Sequence, residues 1–471
     1  MSANINGRDL LLRAVRNEVT ERAAWLPFVG CHSGALLGVS ADDSLKSVDL
    51  QVQGLLKANK LYRPDGLPVC FDLQIEAEAL GCRLHWAKDA PPAVCSHPLA
   101  EGLTLDELPE LDERAGRIPV VLDVLRQLKA RIGTEVALYG LVCGPFTLAL
   151  HLLGNDIFLK MFDEPEEVLR IINACAGIAK RMADWYLRDG ADVIALVDPM
   201  TSQISAEHFE TFVSGAVNDV FDHIRARQGL SALFVCGDVT RNLDAMCRTH
   251  ADSLHVDEQI DMAHLRQLAQ LHGKAFGGNI KLTLVLLLGN VHDARRETLS
   301  LLDTCGTRGF ILSPGCDLPY DVPPANLQAV AEMVHDPYQR EVARKTESIA
   351  GTDTFNDVNL PDYLTPSGVV IDVVTLDSTS CAPCQYMMEA VYQASRKTSV
   401  RCYINEHKIK VREGIGMMVK LGVKNLPTIC IDGEVKFMSI IPDQITLVAA
   451  IEEAARRKMK SLDAGKDAHG A

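Results

Sequence analysis

No apolar run in this sequence is long enough to cross a bilayer. A spanning helix needs ~20 consecutive apolar residues. The longest strongly apolar stretch runs only from Leu282 to Leu288, interrupted by Thr283, a length that suits a buried strand. Positive charge is also scarce: 47 Lys and Arg stand against 62 Asp and Glu, a net charge of −15. No long Lys/Arg run offsets this, so binding to nucleic acid or to an anionic membrane is not expected. The short basic cluster Arg456-Arg457-Lys458-Met459-Lys460 ends a helical pattern, where cations complement the helix dipole. The first residues, Met1-Ser2-Ala3-Asn4-Ile5, lack the charged-then-apolar pattern of a secretory signal. A cytoplasmic protein is expected.

Cysteine is too thinly spread for a disulfide scaffold, with 14 in 471 residues. Cys143, Cys175, Cys402 and Cys430 lie in apolar runs and read as buried hydrophobes. In a reducing compartment, any special cysteine is catalytic, metal-binding or redox-active. No Gly-x-x-x-x-Gly-Lys-Ser/Thr phosphate cradle is present.

What the sequence does have is alternation. Helical periodicity marks residues 1–65, with Val15 to Trp25 leading into Pro27 and a second amphipathic pattern from Ser44 to Leu61. Strand-like runs follow at Val136 to Cys143, Val193 to Val197, Ala232 to Cys236, Ser253 to Val256, Phe276 to Asn279 and Phe310 to Ser313. Helical patterns separate them: Phe158 to Leu187, His208 to Gln228, Thr240 to Thr249, Met262 to His272 and Pro324 to Val334. This order predicts a parallel α/β sheet closed as a (β/α)8 barrel, with its chemistry where strands end and loops begin. The barrel is expected over 1–338 and a linker over 339–366. A small α/β domain is expected over 367–463, with a polar tail over 464–471.

In the small domain, Cys381-Ala382-Pro383-Cys384 follows the strand Val370 to Leu376 and opens a helix. A helix N-terminus favours a thiolate, and a second thiol one turn along can resolve a mixed disulfide. Leu426-Pro427-Thr428 precedes the next strand, Thr428 to Ile431. The region resembles thioredoxin-like domains over residues 368–463. That resemblance implies dithiol–disulfide chemistry, with Cys381 attacking, Cys384 resolving and Pro427 as the cis proline facing them. The open alternatives are half a zinc site or a degenerate docking module. No second Cys-x-x-Cys is present to complete a four-cysteine zinc ribbon.

Two cysteines of the large domain sit just after strands, in Leu233-Phe234-Val235-Cys236-Gly237-Asp238 and in Leu312-Ser313-Pro314-Gly315-Cys316-Asp317. Two thiolates converging at a barrel mouth suit Zn²⁺. Further motifs are Gly144-Pro145-Phe146-Thr147-Leu148-Ala149, Leu153-Gly154, Asp163-Glu164-Pro165-Glu166, and Gly190-Ala191-Asp192 leading to Asp198-Pro199. With Phe71-Asp72 and Glu76-Ala77-Glu78-Ala79-Leu80-Gly81-Cys82, these make residues 8–335 similar to the uroporphyrinogen decarboxylase superfamily. The closer likeness is to its methylcobamide:coenzyme M methyltransferase branch. That branch uses a zinc site built from a His-x-Cys strand end and a later cysteine. Cys236 and Cys316 match the two cysteines, but Phe234 occupies the histidine's position. Either the metal is lost or another residue substitutes. His255 and Asp257, on one face of the next strand, are the substitutes expected, with Glu258 and Asp238 close by. Otherwise Cys236 and Cys316 are unmetallated pocket thiols. Asp198, Asp72 and Phe234 are expected to line the substrate pocket. His32, next to Cys31, reads as a structural histidine or as half of an active-site pair.

The resemblance implies a methyltransferase moving a methyl group between a corrinoid protein and a small thiol acceptor. No Asp-x-His-x-x-Gly corrinoid motif is present, so the corrinoid would arrive on a partner protein. A thioredoxin reductase-like reductant would serve the dithiol. The alternatives are a thiol–disulfide oxidoreductase with a metal-free barrel and a non-catalytic binding protein. Porphyrin decarboxylation is disfavoured. Its substrate carries eight carboxylates and calls for an Arg-rich N-terminal segment, yet no arginine occurs between Arg22 and Arg63.

Overall fold

The computed structural model describes residues 6–346, 355, 357–364, 367–379, 381–423 and 426–467. The chain divides into two units, Met1–Ala350 and Gly351–Ala471.

In the first unit eight parallel strands alternate with helices. The strands are β1 (Ala24–Trp25), β2 (Gly66–Val69), β3 (Ala137–Cys143), β4 (Val193–Val197), β5 (Leu230–Val235), β6 (Ser253–Val256), β7 (Ala275–Ile280) and β8 (Phe310–Pro314). They pair in the order β1-β8-β7-β6-β5-β4-β3-β2, every pair parallel. The helices include α1 (Gly7–Val15) ahead of β1, α2 (Val48–Tyr62), α3 (Ile118–Ile132), α4 (Pro145–Leu153), α5 (Pro165–Asp189), α6 (Gly215–Ala226), α7 (Leu243–Arg248), α8 (Met262–Leu271), α9 (Val291–Cys305) and α10 (Pro324–His335).

Asp65 closes the barrel between β1 and β2. Its backbone N–H donates to the Trp25 carbonyl at 2.9 Å, and its carboxylate accepts from Trp25 N–H at 2.8 Å. Arg22 holds the same carboxylate at 2.5 and 2.8 Å. Asn6 caps α1 by accepting from Asp9 N–H. The Leu10, Leu11, Ala14 and Val15 side chains of α1 join one core cluster with Ala24, Ala137, Tyr139, Ala195, Ala232, Phe234 and Ile311 from the strands. β3 and β4 are buried along their whole length, as parallel strands covered on both faces must be.

Three expectations need correction here. Val15 to Trp25 is not helical: α1 stops at Val15 and β1 occupies Ala24–Trp25. The run Leu282 to Leu288 is not a strand but a wide helical turn, Leu282–Leu287. Leu284 and Leu288 face solvent while Leu282, Val285 and Leu286 are buried, a helical spacing that a uniformly apolar run conceals. The expected linker begins instead with a helix, Pro337–Thr346.

The second unit holds β9 (Val369–Thr375), α11 (Ala382–Lys397), β10 (Cys402–Lys408), α12 (Arg412–Lys420), β11 (Thr428–Ile431), β12 (Glu434–Met438) and α13 (Gln444–Asp467). The sheet order is β10-β9-β11-β12. β10 is parallel to β9, and β11 and β12 are antiparallel to their neighbours. One apolar cluster joins β9 and β11 to α11 and α13, and a second packs α12 on the sheet's other side. α13 runs on to Asp467, into the expected polar tail. Residues 1–5, 347–354 and 468–471 lie outside the described residues, so the expectations for the start, the middle of the linker and the last four residues are not addressed.

Candidate active site

The β5 and β8 exits bring Cys236 and Cys316 together. Eighty residues apart in sequence, they are joined as a disulfide with a Cα–Cα distance of 6.0 Å. Glycine makes both exits possible. Gly237 sits at φ +92°, and a Cβ on Gly315 would stand 2.5 Å from the Glu258 backbone nitrogen. The β5–β6 register sets Phe234 beside His255 and Val235 beside Val256, which brings Cys236 level with Asp257.

Below this mouth lies an aromatic layer. Phe234 is fully buried and stacks on Phe28 at 4.7 Å, with Phe71 edge-on at 5.9 Å. His255 packs against the same rings, 5.6 Å from Phe28 and 5.8 Å from Phe234. Neither of its ring nitrogens has a hydrogen-bond partner. Burial without a partner disfavours the charged imidazolium, and the His255 pKa is pushed down to about 3.

Carboxylates ring the mouth. Asp257 accepts from Gly237 N–H at 2.9 Å and from Gln259 N–H at 3.1 Å. Glu258 accepts from Leu282 N–H. Burial raises both above the usual carboxylate range, and the charge of Asp257 adds to the shift at Glu258. Asp317 accepts from Gly30 N–H at 2.8 Å and is pushed well up by burial.

The expected metal set is therefore not assembled. Among the described residues, no group of three or more His, Cys, Asp or Glu is placed to hold a metal ion. His255 belongs to the aromatic layer, Asp257 is engaged by backbone N–H groups, and a phenylalanine fills the histidine's position. The donor set present does not fit zinc, which in protein sites is almost always held by three or four such ligands.

The other expected site residues are in structural settings. Asp198 is fully buried at the N-terminus of α4, accepting from Thr147 N–H at 2.8 Å, Thr147 Oγ1 at 2.6 Å and Phe146 N–H at 3.2 Å. Burial raises its pKa to about 6 despite those bonds. These bonds anchor the start of α4. Asp72 is buried against Arg117, which also holds Glu78 at 2.8 Å and lies over the Trp86 ring. His32 is buried, with its ring nitrogens 2.7 Å from Tyr62 Oη and 2.9 Å from the Tyr320 carbonyl oxygen, the structural reading.

Sequence reasoning missed Glu76. Its Oε1 accepts from Cys143 N–H at 3.1 Å, while Oε2 is buried without a partner, and burial lifts its pKa to about 7. Nothing in the local spelling Glu76-Ala77-Glu78 separates this acid from Glu78, which forms a salt bridge.

In the second unit Cys381 is the N-cap of α11 and Pro383 lies in its first turn. The Cys384 Sγ stands 2.7 Å from the Cys381 Sγ. Cys381 is half-buried and Cys384 buried, and burial raises the Cys384 thiol well above its ordinary value. The Leu426–Pro427 peptide is cis and leads directly into β11. On β9, the buried Asp372 accepts from His407 Nε2 at 2.8 Å, Asn405 Nδ2 at 3.0 Å and Tyr363 Oη at 2.7 Å.

Similarity to known proteins follows the first unit. A "Methylcobamide:CoM methyltransferase MtbA" of Methanosarcina acetivorans is 28% identical over 336 residues, 69% of this chain and 96% of the relative. A "Uroporphyrinogen decarboxylase" of Synechococcus sp. is 24% identical over 347 residues, 70% of this chain and 94% of the relative. Among solved structures, a methyltransferase from Methanosarcina mazei superposes with a TM-score of 0.65 at 22% identity, covering 71% of this chain and all of that one. The family model for uroporphyrinogen decarboxylase (URO-D) matches residues 6–337, and the chain belongs to that family.

Proposed function

We propose that the barrel is a methyltransferase of a corrinoid-linked system, moving a methyl group between a corrinoid-bearing protein and a small thiol. The observation that carries this reading is the pairing of two cysteines at the strand exits of a barrel whose sequence relatives include methylcobamide:CoM methyltransferases. A decarboxylase relative shares the fold. However, the segment between Arg22 and Arg63 supplies no guanidinium for a polycarboxylate.

The chemistry asks for a thiolate. Its sulfur lone pair forms the S–C bond as the C–Co bond breaks, and the departing pair stays on cobalt. The thiol proton needs an acceptor, and Asp257 stands at the mouth with its pKa raised to about 6, still ionised near neutral pH.

We read the second unit as thioredoxin-like, exchanging thiols and disulfides through Cys381 and Cys384. The N-cap position of Cys381, the 2.7 Å Sγ–Sγ distance and the cis Pro427 support this reading.

The test uses reduced full-length protein, methylcobalamin as donor and a panel of small thiols. Protein-dependent loss of the methylcobalamin spectrum, matched by methyl thioether, is the expected result. No transfer to any thiol, together with carbon dioxide release from uroporphyrinogen, would replace this reading with decarboxylation.

A further inference from the structure

We propose that Cys236 and Cys316 are a reversible redox pair of the barrel, opened by a dithiol reductant and closed again by exchange with a small-molecule disulfide, which leaves as two thiols. The inference does not depend on methyl transfer.

The pair is geometrically suited to cycling. Its Cα–Cα distance of 6.0 Å lies within the range that a disulfide bridges without backbone movement. The only common alternative use of two converging thiols is a metal, and the expected third and fourth ligands are not assembled: Phe234 is packed into the aromatic layer, and both Asp257 oxygens accept backbone N–H groups.

Within the barrel, reagents can reach this pair and the exposed Cys95, which has no partner cysteine. Cys236 and Cys316 are half-buried, so a reductant can reach them. Cys70, Cys143 and Cys175 are buried, and burial raises their thiols well above the ordinary cysteine range, which leaves them poor nucleophiles near neutral pH.

The link also joins strand exits that are not neighbours. β6 and β7 lie between β5 and β8 in the barrel. Opening it frees two loops at the mouth, the Gly237 exit and the Gly315 exit packed on Glu258.

The step balances as thiol–disulfide exchange. One thiolate of the donor attacks a sulfur of the pair, the Cys236–Cys316 bond breaks, and the displaced thiolate takes a proton. The second donor thiol then resolves the mixed disulfide. Two electrons and two protons pass to the barrel pair, and the donor is left as a disulfide.

The experiment equilibrates native full-length protein across a series of reduced-to-oxidised dithiothreitol ratios, quenches with acid, alkylates and maps peptides by mass spectrometry. The expected result is a Cys236–Cys316 linked peptide at the oxidising end. It should give way to two free thiols in a single two-electron transition, while Cys143 and Cys175 stay unlinked throughout. Three results would overturn the proposal. The first is no linked peptide at any ratio. The second is a linked peptide that survives the reducing end until the protein is denatured, which would make the bond structural. The third is one zinc per chain that blocks oxidation and is lost in Cys236→Ser.

Discussion

The two cysteine pairs of this chain are built in opposite ways. Cys381 and Cys384 are three residues apart and meet because one helix turn puts them there. Cys236 and Cys316 are 80 residues apart and meet only because β5 and β8 deliver their exits to the same barrel mouth. The first pair needs only a strand, a turn and a helix start. The second needs the whole barrel, so its state is tied to the stability of the fold.

Removing Cys381, the attacking thiol of the proposed exchange, is the sharpest way to separate them. In Cys381→Ser, reduction of a small disulfide substrate should fall to background, because burial raises the remaining thiols of the second unit, Cys384, Cys402 and Cys430, and leaves them poor nucleophiles. The Cys236–Cys316 link should still form on oxidation. Residual reduction in the variant would move the exchange chemistry to the barrel pair and break the comparison.

Opening the barrel pair should instead be felt as stability. By the chain-entropy relation, an 80-residue loop is worth about 4.5 kcal/mol, or about 6 °C for a unit of this size. Hydrogen exchange along β5 and β8 in wild type against Cys316→Ser, both under oxidising conditions, measures it. The second unit should be unaffected. Equal protection in both proteins would mean that the link constrains little of the unfolded chain.

This contrast also explains what the sequence could and could not disclose. The alternation of short apolar runs and helical patterns places the later barrel strands within a residue or two, Val193–Val197 and Ser253–Val256 among them, because parallel strands buried on both faces leave a local signature. The two-residue β1 leaves none, and Val15 to Trp25 looks helical because Val15, Val19 and Ala23 recur every four residues, although α1 stops at Val15. The dithiol could be read from spacing alone. The convergence of Cys236 and Cys316 could be anticipated only from strand ends and the family likeness. For Asp198, a carboxylate at a strand end looks alike in the sequence whether it faces a pocket or caps α4, and only the structure shows its bonds to the Phe146 and Thr147 N–H groups. No one-dimensional pattern reveals that His255 lies among Phe28, Phe234 and Tyr139.

Buried ionisable groups extend the comparison. In the second unit Asp372 is held by His407, Asn405 and Tyr363. Burial opposes its charge, but those donors win and its pKa lies below the usual aspartate value. Asp372→Ala would leave three half-buried donors without their acceptor, at a cost of about 3 kcal/mol. Faster hydrogen exchange in β9 and β10, with the barrel unchanged, is the expected result. Unaltered exchange would mean that the donors find water instead.

His255 is the opposite case, and its effect should be the smallest of the four. Its folded pKa of about 3 lies below the unfolded value of ~6.5. Between those values the unfolded chain binds a proton that the folded chain refuses, so its contribution to stability is lost as pH falls through that window. At pH 5 the loss is about 2 kcal/mol relative to neutral pH. Glu76 and Asp198 act with the reverse sign. Their folded values, raised to about 7 and about 6, add stability as pH falls through the same region. The net acid response of the barrel is thus a partial cancellation, and only a difference between variants isolates the histidine. His255→Leu removes one opposing member and leaves the carboxylates in place, so acidification from pH 7 to 5 should destabilise it by about 2 kcal/mol less than wild type, read from urea midpoints or from exchange in β6. The second unit should serve as an internal reference, because the depressed Asp372 does not titrate in that interval. An identical acid response in both proteins would mean that His255 accepts its proton in the folded state, and that the aromatic layer admits charge after all.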